Sequence, residues 1–578
     1  MNPSPAYGRQ LMTLLAIFGL LALFSCQSRK QTGAYATDAI PPPPPSIEME
    51  APTSMSAPPE AMMMKKEAVA RSKAKRKQDI SEEMDADGFV DNYDDEEKAD
   101  KFNREQYDRI YENPIISPKA QPLSTFSIDV DVASYANTRR FLNDNRLPYP
   151  DAVRIEEMIN YFNYDYAAPT GEHPFAIHTE VAACPWQPEH QLVHIGLQGK
   201  EVLRENLPPS NLVFLFDVSG SMDSPDKLPL LKAAFRLLVN QLDEDDRVAM
   251  VVYAGAAGVV LPSTLASKKS TILEALHKLN AGGSTAGGAG IELAYQIAMD
   301  NFVQGGNNRV ILATDGDFNV GPSSDGELVR MIEEKRENDI FLSVLGFGSG
   351  NLQDSKMEKL ADKGNGNYAY IDNILEAKKV LVNEMGSTLL AIAKDVKIQV
   401  EFNPALVKGY RLVGYENRLM AAEDFDDDTK DAGELGAGHT VTALYEIVPV
   451  GASTEVRTTG DLKYQLTVPT DGSQRELMYV KFRYKQPTGT VSTLLEQPIG
   501  ISTQSWSRSS ENFRWSAAVA GFGMLLRRSA YKGNADYAQV KSWATQAKGA
   551  DLNGYRAEFI QLVEKAMLLD TEEANVKD

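Results

Sequence analysis

From Asn211 to Ile371 the chain alternates apolar runs of strand length with stretches whose apolar residues recur every three or four positions. Leu212 to Phe216 is continuously apolar, as a strand covered on both faces should be. The pattern then predicts an amphipathic helix through Leu228, Leu231, Ala234, Phe235 and Leu238, a strand from Val248 to Tyr253, and a helix through Ile272, Leu273, Leu276 and Leu279. Val310 to Ala313, Ile340 to Leu345 and Tyr368 to Ile371 read as further strands, and a helix through Leu375, Val380, Leu381 and Met385 closes the pattern near Thr388. Strands alternating with helices imply an α/β domain with a mainly parallel, doubly wound sheet, assigned to residues 206–390. Ligands of such sheets bind beyond the carboxyl ends of the strands.

On both flanks the period drops to two. Val396 to Phe402, Tyr410 to Tyr415, Thr440 to Val448 and Leu477 to Tyr484 predict an antiparallel β-sandwich over residues 391–505. Upstream, residues 116–205 offer a strand from Thr125 to Asp131, helical spacing over Tyr135 to Leu142 and Val153 to Phe162, and strand-like runs Ala176 to Ala182 and Gln191 to Gly196. Strands on both sides of the α/β domain imply that it is inserted in, or flanked by, one β-domain built from both flanks. Residues 506–578 read as a C-terminal helical region, in which the apolar segment Trp515 to Leu526 is too short to span a bilayer and is expected to be a core helix.

The N-terminus differs from all of this. Leu11 to Phe24, behind Arg9, has the length of a secretory h-region. It ends in Leu23-Phe24-Ser25-Cys26, which resembles the lipobox of bacterial lipoproteins; the resemblance implies cleavage of residues 1–25, acylation of Cys26 and a lipid anchor on the membrane. Residues 26–115 read as a disordered tether, with Pro41 to Pro45 unbroken, a block at 65–77 of net charge +6 and a block at 79–100 of net charge −10. The expected location is the bacterial cell envelope. Gln27 in place of an inner-membrane Asp signal favours the outer membrane and leaves the side of it open.

Composition narrows the function. A 43% hydrophobic share over 578 residues excludes a wholly disordered chain, and a formal net charge of −21 argues against nucleic acid as a partner. The 2 cysteines fall as Cys26 and Cys184, so no disulfide between folded segments is expected and Cys184 reads as a buried, inert thiol.

Candidate chemistry sits where the strands end. The first apolar strand runs into Asp217-Val218-Ser219-Gly220-Ser221-Met222, a later one into Thr314-Asp315-Gly316, and between them lies Gly282-Gly283-Ser284-Thr285-Ala286-Gly287. These residues resemble the von Willebrand factor type A (VWA) domain, whose metal-ion-dependent adhesion site takes an Asp-x-Ser-x-Ser turn, a Thr and a second Asp. The resemblance implies a Rossmann-like fold and assigns Asp217, Ser219, Ser221, Thr285 and Asp315 as ligands of Mg²⁺ (or Mn²⁺). Two carboxylates and three hydroxyls are hard oxygen donors that suit these ions. With one or both Asp acting through water, as the resemblance implies, a coordination position is left for a protein partner presenting an Asp or Glu. Helix and loop capping alone would explain Asp217 and the serines but would not require Thr285 and Asp315.

Other readings fit less well. The Gly-rich loop lacks the lysine of a phosphate-binding loop, no His pair has zinc-protease spacing, and a hydrolase is accordingly disfavoured. The acidic runs Glu83 to Asp94 and Asp424 to Asp428 miss key positions of a calcium loop. Across residues 120–570 the order of Phe126 to Asp131, Arg154 to Phe162, the Asp-x-Ser-x-Ser turn and Gly438 to Glu446 resembles the YfbK-type bacterial VWA lipoproteins. The expected role is a non-enzymatic envelope protein that binds a partner through the metal; the alternative is an envelope assembly or maintenance factor whose metal is purely structural.

Overall fold

The computed structural model describes residues 104–577 except 129–130, 255, 284–286, 317–324, 385–389 and 458–474. The assignments to the signal peptide, to Cys26 and to the tether up to residue 103 lie outside the described residues.

Strands β1 (Leu123–Ser127), β2 (Phe175–Ala183) and β3 (Gln191–Gly199), with helices α1 (Ala133–Asn143) and α2 (Ile155–Asn160), precede the α/β domain. Its strands are β4 (Ser210–Asp217), β5 (Arg247–Tyr253), β6 (Ala257–Leu265), β7 (Asn307–Thr314), β8 (Ile340–Phe347) and β9 (Tyr368–Ile371). They form one sheet in the order β6-β5-β4-β7-β8-β9, parallel except for the edge strand β6. β4 is central and Leu212 to Phe216 are all fully buried, which explains a run without alternation. Burying each such side chain contributes ~1.5–3 kcal/mol. Helices α3 (Leu228–Gln241), α4 (Lys269–His277), α5 (Gly287–Asp300), α6 (Asp325–Arg336), α7 (Asp354–Lys363) and α8 (Ile374–Lys378) complete the domain. The strand β6 escaped the sequence pattern because it carries Pro262 and an exposed face, both tolerated only at a sheet edge.

Beyond the domain, β10 (Ala391–Phe402), β11 (Val407–Val413), β12 (Leu419–Met420), β13 (Gly433–Gly436), β14 (Thr440–Pro449), β15 (Glu476–Lys485) and β16 (Ser492–Gly500) build the sandwich with the upstream strands. One sheet runs β12-β1-β10-β15-β16 with β13 on β10, and the other β11-β14-β3-β2. Phe126 lies opposite Ile398 and Ile195 opposite Ala443. The α/β domain is therefore inserted between strands of one antiparallel β-domain, the first of the two arrangements, inserted or flanked, that the strand patterns left open. Phe126, Val193, Ile398, Tyr445 and Val480 fill the space between its sheets.

Helices α9 (Glu511–Leu526), α10 (Tyr537–Gln546) and α11 (Tyr555–Lys577) form the C-terminal part. Trp515 to Leu526 is buried, so the apolar segment is a core helix. Trp515 meets Phe162 edge-on at 5.0 Å and Phe559 at 5.2 Å. Arg139 on α1 donates to buried Glu376 on α8 at 2.7 Å and to half-buried Glu558 on α11 at 3.0 Å, joining three parts of the chain in one ion cluster.

Two expectations are corrected. The tether does not extend to residue 115: Arg104 and Gln106 donate their N–H groups to the carbonyls of Gly350 and Leu352 at 2.8 and 3.0 Å, and Glu105 pairs with Arg140 at 2.9 Å. These backbone partners lie far along the chain, so local composition could not reveal them. The first strand stops at Ser127 rather than Asp131, where Asp131 instead accepts from the Tyr368 N–H at 2.7 Å.

Candidate metal centre

Asp217 ends the central strand β4, and Asp315 follows the adjacent strand β7, with Phe216 opposite Ala313 in register. Parallel pairing thus brings together two carboxylates that are 98 residues apart in sequence, and both are almost wholly buried. The Asp217 oxygens are oriented by three donors: the Ser219 N–H at 2.9 Å to Oδ1, and the Tyr253 and Thr314 hydroxyls, each at 3.2 Å, to Oδ2. The Ser219 and Ser221 hydroxyls lie 3.0 Å apart, Ser219 buried and Ser221 exposed. The Gly-rich turn is drawn onto this loop, because the Gly282 N–H donates to the Val218 carbonyl at 2.7 Å and the Gly220 N–H to the Gly283 carbonyl at 3.2 Å. Thr285, two residues further on, lies outside the described residues.

Burial pushes the Asp217 carboxyl up from its ordinary value; hydrogen bonds from Ser219 oppose this, and the Asp315 charge adds to it. Two buried anions crowded at neighbouring strand ends, with hydroxyl donors beside them, form an oxygen-only set that fits a small hard dication. A divalent cation there would be held by Asp217, Ser219, Ser221 and Asp315, with Thr285 as the fifth expected ligand.

Two residues at this site were missed by the sequence reading. Tyr253 ends β5 and reaches Asp217 across the parallel pair Asp217 to Tyr253. Lys227, just before α3, donates from Nζ to Asp315 Oδ2 at 2.8 Å. In the sequence Tyr253 is only the last residue of an apolar run and Lys227 only a cation just before a helix, so neither carries a signal of its own.

Among the described residues, Asp131, Glu157 and Glu358 form another acidic group close enough for a metal. Guanidiniums already occupy it. Arg418 reaches Asp131 at 3.1 Å and Glu358 at 2.9 Å, and Arg154 pairs with Glu157. That group is a buried ion network bracing the segment before α1 against α2 and α7.

Comparison with known proteins identifies the domain and the family. The model for the von Willebrand factor type A domain matches residues 211–382, one for von Willebrand factor matches 101–194, and one for the C-terminal part of uncharacterized protein YfbK matches 387–569. Uncharacterized protein YfbK of Escherichia coli (strain K12) is 45% identical over 470 residues, which is 80% of this chain and 81% of that protein. Uncharacterized protein sll0103 of Synechocystis sp. is 31% identical over 172 residues, 29% of this chain and 39% of that protein. A solved von Willebrand factor type A structure from Catenulispora acidiphila is 17% identical and covers 67% of this chain and 90% of that one at a TM-score of 0.38.

Proposed function

This chain belongs to the YfbK family, and from that premise we propose that it is a non-enzymatic cell-envelope lipoprotein which binds a protein partner through a divalent metal in its VWA domain. VWA domains serve protein interaction in general and often bind a divalent metal. The observation that carries the finer reading is the pair Asp217 and Asp315, buried at adjacent strand ends, with the hydroxyls of Ser219 and Ser221 3.0 Å apart on the loop that follows Asp217. Such a cation supplies one outward position for an anionic oxygen, and a partner's Asp or Glu matches it. The chain's own residues orient the carboxylates and keep the inner side of the site dry.

The anchor rests on the apolar run Leu11 to Phe24 and on Cys26 as the acylated residue. No helix among the described residues is long and apolar enough to cross a membrane. Lipid attachment at Cys26 would hold the protein on a membrane of the bacterial envelope, and Gln27 after it favours the outer membrane, on either side of it. A pull-down from solubilised membranes with and without EDTA tests the proposal. A partner lost with chelator supports it; a partner retained at full affinity favours a purely structural metal.

A further inference from the structure

Lys227 is buried, 6% exposed, although lysine carries a long, flexible and strongly hydrated side chain. Its course is set by the fold. It leaves the chain just before α3, and its stem crosses Gly348 directly after β8, where a Cβ would lie 2.3 Å from Lys227 Cε and 2.4 Å from Cγ. Gly348 itself has φ +73, and its carbonyl accepts from the Tyr370 hydroxyl at 2.7 Å. A position without a side chain, on a clamped backbone, therefore forms the seat of the lysine stem. The ammonium ends on Asp315 Oδ2 at 2.8 Å, with the carboxylate side chain fully buried.

We propose that Lys227 is a resident cation of the metal centre, fixed on Asp315, which weakens the hold on the metal and makes the loaded site select an anionic partner group. The inference rests on the reading that Asp217 and Asp315 hold a divalent cation, and it deepens that reading. With Asp217, Asp315 and Lys227 all charged, the protein groups sum to −1, so a dication brings the centre to +1. Without the ammonium the same centre would sum to −2 and be neutral once loaded. In a buried setting one such charge at close range outweighs the distant field of the rest of the chain, because exposed charges beyond ~8 Å are screened. A negatively charged protein can then receive a carboxylate at this one place. A carboxylate oxygen carries two lone pairs, so accepting from the ammonium does not by itself remove Asp315 as a donor.

The test uses the full chain purified in detergent and manganese as the probe, by titration calorimetry, in sodium acetate and in sodium chloride at equal ionic strength. Acetate should tighten manganese binding to the wild type, since a carboxylate and the ion that favour each other must do so reciprocally. Lys227→Gln should bind manganese about tenfold or more tightly and lose the acetate effect. Unchanged manganese affinity in a folded Lys227→Gln protein overturns the inference and leaves the metal site standing. If neither Lys227→Gln nor Lys227→Met folds, Gly348→Ala decides, since its Cβ would displace the lysine stem: tighter manganese binding than in the wild type supports the inference, and unchanged affinity overturns it. Failure of the wild type to bind manganese at all removes the metal reading itself, and this inference with it.

Discussion

Tyr253 donates its buried hydroxyl to Asp217 Oδ2 at 3.2 Å, across neighbouring parallel strands, and so fixes a carboxylate that burial disfavours as an anion. Removing that donor alone should loosen the site without emptying it. Tyr253→Phe should weaken manganese binding by about tenfold to a hundredfold, as expected for a lost hydrogen bond to a charged group worth ~1.5–3 kcal/mol. Asp217→Ala should abolish binding. Melting temperature reads both: a hundredfold excess of metal over Kd stabilises the wild type by ~2.7 kcal/mol, and the rise should vanish in Asp217→Ala. A rise that survives in Asp217→Ala would assign the ion elsewhere.

The proposed anchor predicts that Cys26→Ser leaves the protein without acyl chains. Metabolic labelling with a fatty acid should mark the wild type only, and the variant should appear in the soluble fraction or as unprocessed precursor. Equal labelling of both would remove Cys26 as the lipidated residue.

Carboxylate bridging predicts which partner residue matters. Replacing each Asp and Glu of a captured partner by its amide should identify one position whose loss abolishes binding, and Asp315→Ala in this chain should do the same while circular dichroism stays native. Full affinity in every amide variant would end the bridging mechanism and leave the metal centre intact.

A pH dependence follows from Glu434, which lines a cavity of about 360 Å³ together with Arg309, Arg418, Asp362, Asp431 and His439. Burial lifts its carboxyl to about 7, against the pull of Arg309. A carboxyl raised in the folded state binds its proton there and releases it on unfolding, so its contribution is complete below about pH 4.5 and is lost as pH rises through about 7. Each unit is worth ~1.4 kcal/mol. Allowing for water in the cavity, urea titrations should lose ~1–2 kcal/mol from this group between mildly acidic and mildly alkaline pH. Glu434→Gln should flatten that part of the profile; an unchanged slope would show that Glu434 ionises normally.

Trp515 tests whether the C-terminal helices belong to the same cooperative unit. It is fully buried between Phe162 and Phe559, and its indole N–H has no hydrogen-bond partner among the described residues. Trp515→Ala should cost ~3–5 kcal/mol, toward the low end because an unsatisfied donor leaves with the ring. Denaturant unfolding should move to lower midpoint as one transition. A second transition with the first unmoved would mean that α9 to α11 unfold on their own.

The sequence by itself determined what is local. The apolar run Leu212 to Phe216 reads as a doubly covered strand, the alternation in Val396 to Phe402 as a half-covered one, and Asp217 and Asp315 stand just where such runs end, while the set Asp217, Ser219, Ser221, Thr285 and Asp315 is what the resemblance to the VWA domain implies. The tertiary structure alone decided what is distant. That β1 pairs with β10, that residues 104–106 lie along Gly350 and Leu352, and that Lys227 reaches Asp315 88 residues away all depend on which surfaces remain to be buried once the local elements exist. Periodicity reports which face of an element avoids water; it carries no information about which other element will cover that face, and the seat of Lys227 is made by a missing side chain at Gly348 that no pattern of residues around Lys227 could announce.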